Sequence, residues 1–143
     1  MYRFFARVIP LVVLTLIVTG CSNGNTDTTT TPPSTPETVT DTFSGVLTLN
    51  GAVSHPFTVT GVGVISALLT TLSPDATRPV GLSIGTWSGS LCTVSNGLFN
   101  DQAIQGSQIV GTSSTAGNFC VRIYDASGSV VQAETYAIEV SHQ

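Results

Sequence analysis

The sequence has 143 residues, 41% of them hydrophobic, and a net charge of −4, which leaves room for one domain with a modest core. Charged residues make up only 8% of it, against about 25% in typical domains, and lysine is absent. From position 21 onward, two arginines (Arg78 and Arg122) stand against eight acidic residues, which excludes a basic surface that could neutralise nucleic-acid phosphates.

The chain opens with a basic segment around Arg3 and Arg7, followed by an apolar run from Val8 to Val18 that contains Pro10. A spanning helix needs roughly 20 apolar residues; this run is about a dozen. Its length and flanks suit a secretory signal over residues 1–20. Val18-Thr19-Gly20-Cys21 resembles the lipobox of bacterial lipoproteins, an aliphatic residue, two small ones and a cysteine. The resemblance implies that the Cys21 thiol takes a diacylglycerol and that the chain is cut before it. The new amine is then acylated, so that palmitate-type chains tether the protein to a membrane. Several acyl chains hold stably where one is marginal. Ser22, in place of an aspartate, resembles the pattern of lipoproteins exported to the outer membrane.

Residues 21–41 follow as a Thr/Pro-rich stretch with almost nothing to bury, and are expected to be a disordered linker. Such a stalk reaches roughly 25–60 Å between the coil and polyproline limits.

Residues 42–143 show no convincing helix. Strand patterns recur about every ten residues, which predicts a sandwich or a barrel. "FSGVLTL" runs into Asn50-Gly51, a strong hairpin signal. "HPFTVT" follows. "VGVISALLTTL" reads as a buried strand because of its β-branched residues and nearby glycines. "LSPDATRP" is a loop. "VGLSIGTW" alternates, with Val80, Leu82 and Ile84 on one face and Gly81, Ser83 and Gly85 on the other. "LCTVS" is a short strand and "SQIVGT" another, ending near a turn at Ala116-Gly117. "NFCVRIYD" turns Phe119, Val121 and Ile123 inward and Cys120, Arg122 and Tyr124 outward; "ETYAIEVSH" turns Tyr136, Ile138 and Val140 inward.

"AGNFCVRIYDASG" and "ETYAIEVSH" resemble the last strands of the bacterial pre-peptidase C-terminal domain, and "HPFTVTGVGVISALLTTL" and "VGLSIGTW" resemble its earlier ones. The resemblance implies an antiparallel, jelly-roll-like β-sandwich. It also implies a non-catalytic accessory module of the kind linked to surface attachment or substrate binding.

With Cys21 lipidated, Cys92 and Cys120 remain as an even pair in an exported domain, and a disulfide between them is expected. Metal binding is the rival, but two cysteines without a clustered histidine are too few for zinc. Gly81-Leu82-Ser83-Ile84-Gly85 matches G-x-S-x-G, yet Ser83 lies mid-strand, and the only later histidine is His142. A hydrolase needs a strand-to-helix elbow there, so no catalytic role is assigned. His55 and His142 are the only imidazoles; edge or surface positions are expected rather than a metal site. Asp75, Asp101 and Asp125 are read as turn residues. Trp87 either lies over the strand's glycines or offers a flat platform to a sugar ring or a protein side chain. Arg122 is expected to meet an outward carboxylate or to lie over Tyr124, a second candidate for ligand contact. The expectation is a non-enzymatic, lipid-anchored envelope protein without a cofactor, its partner an envelope protein or a glycan. The alternative is a carbohydrate-binding module that uses Trp87.

Overall fold

The computed structural model describes residues 37–143. Cys21, the signal segment and most of the linker lie outside the described residues. Eight strands follow one another: β1 (Val39–Leu47), β2 (Ala52–Val59), β3 (Gly63–Ser73), β4 (Val80–Trp87), β5 (Cys92–Ala103), β6 (Gln108–Ser113), β7 (Gly117–Tyr124) and β8 (Glu134–His142). They form two four-stranded antiparallel sheets, ordered β1-β8-β3-β6 and β2-β7-β4-β5. This order is that of a jelly roll, in which successive strands alternate between sheets. Only β4 and β5 are joined as a hairpin within one sheet. The described part is thus an all-β sandwich with one disulfide.

The core follows from the alternation. Leu82 and Ile84 of β4 and Val121 and Ile123 of β7 face Ile65 and Leu69 of β3 and Ile138 and Val140 of β8, and all eight are buried. Each fully buried aliphatic side chain contributes about 1.5–3 kcal/mol relative to exposure. β3 is a strand along its whole length, with a register shift between Leu69 and Thr71.

Three expectations about the strands change. Val39–Asp41 belong to β1 rather than to the linker, because β8 is long enough to pair with them: Val39 lies opposite His142 and Asp41 opposite Val140. Asn50-Gly51 does make a turn, with Asn50 at φ 53° and Gly51 N–H donating to the Thr48 carbonyl. It is not a hairpin, however, because β1 pairs with β8 and β2 with β7, in different sheets. β5 extends far beyond "LCTVS", to Ala103. Its register against β4 slips between Ser83 and Gly85, where Val94 and Phe99 are the successive partners. The residues between them bulge out, and a Cβ on Gly111 of β6 would collide with the Leu98 side chain. The bulge therefore leans on the other sheet at the sandwich edge.

The end of the sandwich is fastened by charge. Arg78 Nε lies 3.0 Å from Glu134 Oε1, Nη2 lies 3.0 Å from Asp75 Oδ2, and Nη1 donates to the Ser129 carbonyl at 2.8 Å. The other Glu134 oxygen accepts from the Asp75 N–H at 3.1 Å.

Candidate functional site

The β2-β7-β4-β5 sheet carries Trp87, Arg122, Tyr124 and the Cys92–Cys120 pair on its outer face. β2 and β7 place Thr58 opposite Asn118, and β7 and β4 place Phe119 opposite Thr86. Trp87, one residue further along β4, therefore stands beside Asn118. Thr58, Asn118 and Trp87 form a row across three strands. They line an open groove of about 610 Å³ together with Pro56, Phe57, Ser88 and Gly89, a volume within the usual range for ligand sites. Thr58 Oγ1 donates to Asn118 Oδ1 at 3.1 Å, which leaves the Asn118 NH2 as the outward donor. Ser88 Oγ donates to the Leu91 carbonyl at 3.3 Å, so its acceptor lone pairs remain. Among the described residues, no lining side chain is ionisable.

The disulfide adjoins this row. Cys92 lies opposite Trp87 on β5, and Cys120 lies opposite Gly85 on β7, two residues from Asn118. β5 and β7 flank β4, so a flat sheet would put their Cα atoms about 10 Å apart. Here the two Cα atoms are 5.8 Å apart, so the start of β5 folds over the outer face of β4. Gly85 permits this, because a Cβ there would strike the Thr93 carbonyl. Gly81 is covered as well, by the Tyr124 ring. Tyr124 and the β5 backbone thus cover the glycines that Trp87 was expected to cover or border, and Trp87 lines the groove instead.

Tyr124 belongs to a different cluster. Its hydroxyl donates to Asp101 Oδ1, and the Arg122 guanidinium carbon sits 5.0 Å from its ring centroid. Burial, and then the bond to Asp101, push the Tyr124 phenol up to about 12. Of the two arrangements expected for Arg122, the aromatic one is present. Ser83 lies between Arg122 and Phe99 in the sheet, is 0% exposed, and its Oγ has no hydrogen-bond partner among the described residues. A hydroxyl sealed inside a strand cannot meet a substrate, and neither histidine is bonded to it. His55 bonds the Tyr136 hydroxyl at 2.8 Å and stacks on Phe43. His142, expected at an edge or on the surface, is instead buried on β8 between β1 and β3, where it bonds Asp41 at 3.0 Å and stacks on Phe57. Among the described residues no group of three or more His, Cys, Asp or Glu side chains is placed to hold a metal. Asp75 and Asp125 act in turns: Asp75 accepts from the Thr77 hydroxyl and N–H, and Asp125 from the N–H groups of Asn50, Ser129 and Val130. Asp101, read as a turn residue, lies within β5 instead.

Burial lowers the His55 pKa below its ordinary 6.5. The folded state therefore favours neutral imidazole. Its contribution is complete above the unfolded value and declines as pH falls below about 6.5 toward the folded one. The wild-type melting temperature is expected to fall between pH 7.5 and 5, and His55→Gln to flatten part of that slope. Identical slopes in the two proteins would contradict the assignment.

Thr58, Ser88, Gly89 and Asn118 were not picked out by sequence reasoning. Asn118 does share the outward parity of Cys120, Arg122 and Tyr124. No family model matches the chain, and no curated protein matches it.

Proposed function

We propose that this chain is a lipid-anchored protein of the cell envelope, held in the outer membrane through acyl chains on Cys21, and that its β-sandwich is a non-enzymatic binding or accessory module. The observation that carries the recognition half is the open groove around Trp87, whose lining offers an aromatic ring and neutral polar groups but no acid, base or activated nucleophile. Chemistry on a ligand needs such groups, whereas holding one does not.

Two features support the envelope half. The Cys92–Cys120 disulfide fits an oxidising compartment outside the cytosol. β1 begins at Val39, and on this reading residues 22–38 of the sequence are the stalk between lipid and sandwich. The eight-stranded jelly roll agrees with the architecture that the pre-peptidase C-terminal resemblance implies, and an accessory role follows from that resemblance. The membrane is one partner, and an envelope protein or glycan at the groove is the other.

Cys21→Ser tests the anchor. The wild-type protein is expected in the membrane pellet. The variant is expected to accumulate with its signal segment uncut, because in lipoproteins the chain is cut at a cysteine whose thiol has taken its diacylglycerol. Normal processing and continued association with lipid through the mature chain would overturn the proposal.

A further inference from the structure

We infer that the Trp87 groove takes a neutral saccharide chain, with Trp87 as the stacking platform and Asn118, Thr58 and Ser88 as the polar contacts. This rests on the reading of the sandwich as a binding module and names the ligand class of the same groove.

Charge is the first argument. Among the described residues, no lining side chain is ionisable. The cation on the same face of β7, Arg122, is four residues from Asn118, about 13 Å along the strand, and is already engaged with the Tyr124 ring. An anionic ligand would lose its hydration and gain no counter-charge in the groove. A cation would find no carboxylate in the lining.

Shape and hydrogen bonding narrow the choice further. Trp87 is only half-buried, so an apolar indole surface remains at the groove. A pyranose ring has an apolar C–H face and a rim of hydroxyls. The face stacks on the indole, and the rim meets one amide donor and two hydroxyl acceptors whose own protons are already committed. Each sugar hydroxyl both donates and accepts, so it satisfies either kind of group. A purely apolar peptide would cover those groups and leave them unpaired, which costs affinity.

The site is also held in place. The disulfide joins the strand position opposite Trp87 to one two residues from Asn118. The hairpin that carries Ser88 and Gly89 is closed by the Ser88 N–H donating to the Leu91 carbonyl at 3.1 Å. Cys92 and Cys120 are thus positioning residues for the platform. Preorganisation of this kind reduces the ordering cost of binding.

The test is calorimetric titration of the mature lipidated protein, extracted in neutral detergent. The probes are cellohexaose, chitohexaose, maltohexaose and, as the acidic arm, hexagalacturonate. At least one neutral oligosaccharide is expected to bind at low-millimolar concentration or tighter. Trp87→Ala should weaken it about tenfold or more, and Trp87→Tyr should restore much of the loss. Affinity should be flat from pH 5 to 8 and insensitive to salt, and reduction at a temperature where the fold persists should weaken it. Glu139→Gln, on the outer face of the other sheet, should change nothing.

Absence of binding by every neutral probe at about 10 mM overturns the inference. So does preference for the acidic one, or unchanged affinity in a folded Trp87→Ala. If a peptide or envelope protein instead binds in a Trp87-dependent way, the saccharide is wrong but the binding module stands. The membrane anchor is read separately, by Cys21→Ser, and survives either outcome.

Discussion

Reducing the Cys92–Cys120 bridge, or replacing both cysteines by alanine, is expected to lower the melting temperature by roughly 15–20 °C. The bridge closes a loop with a sequence separation of 28 residues. Loop-closure entropy of that size is about 3–4 kcal/mol, a large share of the ~5–15 kcal/mol that holds a small domain together. Two local features add to the effect. Cys120 is fully buried, and the start of β5 rests on Gly85 with no side chain between them. Losing the bridge frees β5 to return to flat-sheet spacing and opens the face that carries Trp87. Scanning calorimetry with and without reductant checks this, and coincident melts would contradict it.

Arg78→Met is expected to cost about 3–5 kcal/mol. Glu134 is 0% exposed, and its carboxylate has one guanidinium contact and one backbone N–H. Removing the arginine leaves that charge buried with the N–H alone. The arginine also gathers Asp75 and the Ser129 carbonyl, so the loop after β3 and the segment before β8 both lose their fastening. Arg78 is itself partly exposed (22% for its side chain), which places the loss toward the lower end of that range. The double variant Arg78→Met/Glu134→Gln removes the stranded charge and should recover a substantial part of the stability. Chemical denaturation of the wild type, the single variants Arg78→Met and Glu134→Gln, and the double variant forms a thermodynamic cycle. A loss below about 1 kcal/mol for Arg78→Met would place the pair among exposed ion pairs of little consequence.

The strands of this protein are readable because apolar residues alternate with polar ones. β4 and β8 match "VGLSIGTW" and "ETYAIEVSH" residue for residue, since both have a strict period of two and lie inside a sheet. β5 is not readable in the same way. "CTVSNGLFNDQA" carries Asn, Gly and Asp, residues of turns, and its regularity is broken where the chain bulges toward β6. Pairing is harder still. Asn50-Gly51 carries a hairpin's local chemistry, yet long-range packing sends its two flanking strands to different sheets.

The same limit applies to the groove. Trp87 stands out in a sequence with one tryptophan. Its neighbours Thr58 and Asn118 are ordinary polar residues until β2, β7 and β4 lie side by side. The cover over Gly81 comes from Tyr124, far away in sequence, and that over Gly85 from the Thr93 carbonyl, which reaches it only because the hairpin strand β5 folds over β4. The Arg78–Glu134 pair is separated by 56 positions and has no sequence signature.

The most direct test of the whole account is the intact mass of the mature protein extracted from membranes, measured before and after reduction. The account predicts a chain that begins at Cys21, heavier by its acyl groups and lighter by the two hydrogens lost in the Cys92–Cys120 bond. A mass that retains residues 1–20, or a mature chain without lipid, would contradict it.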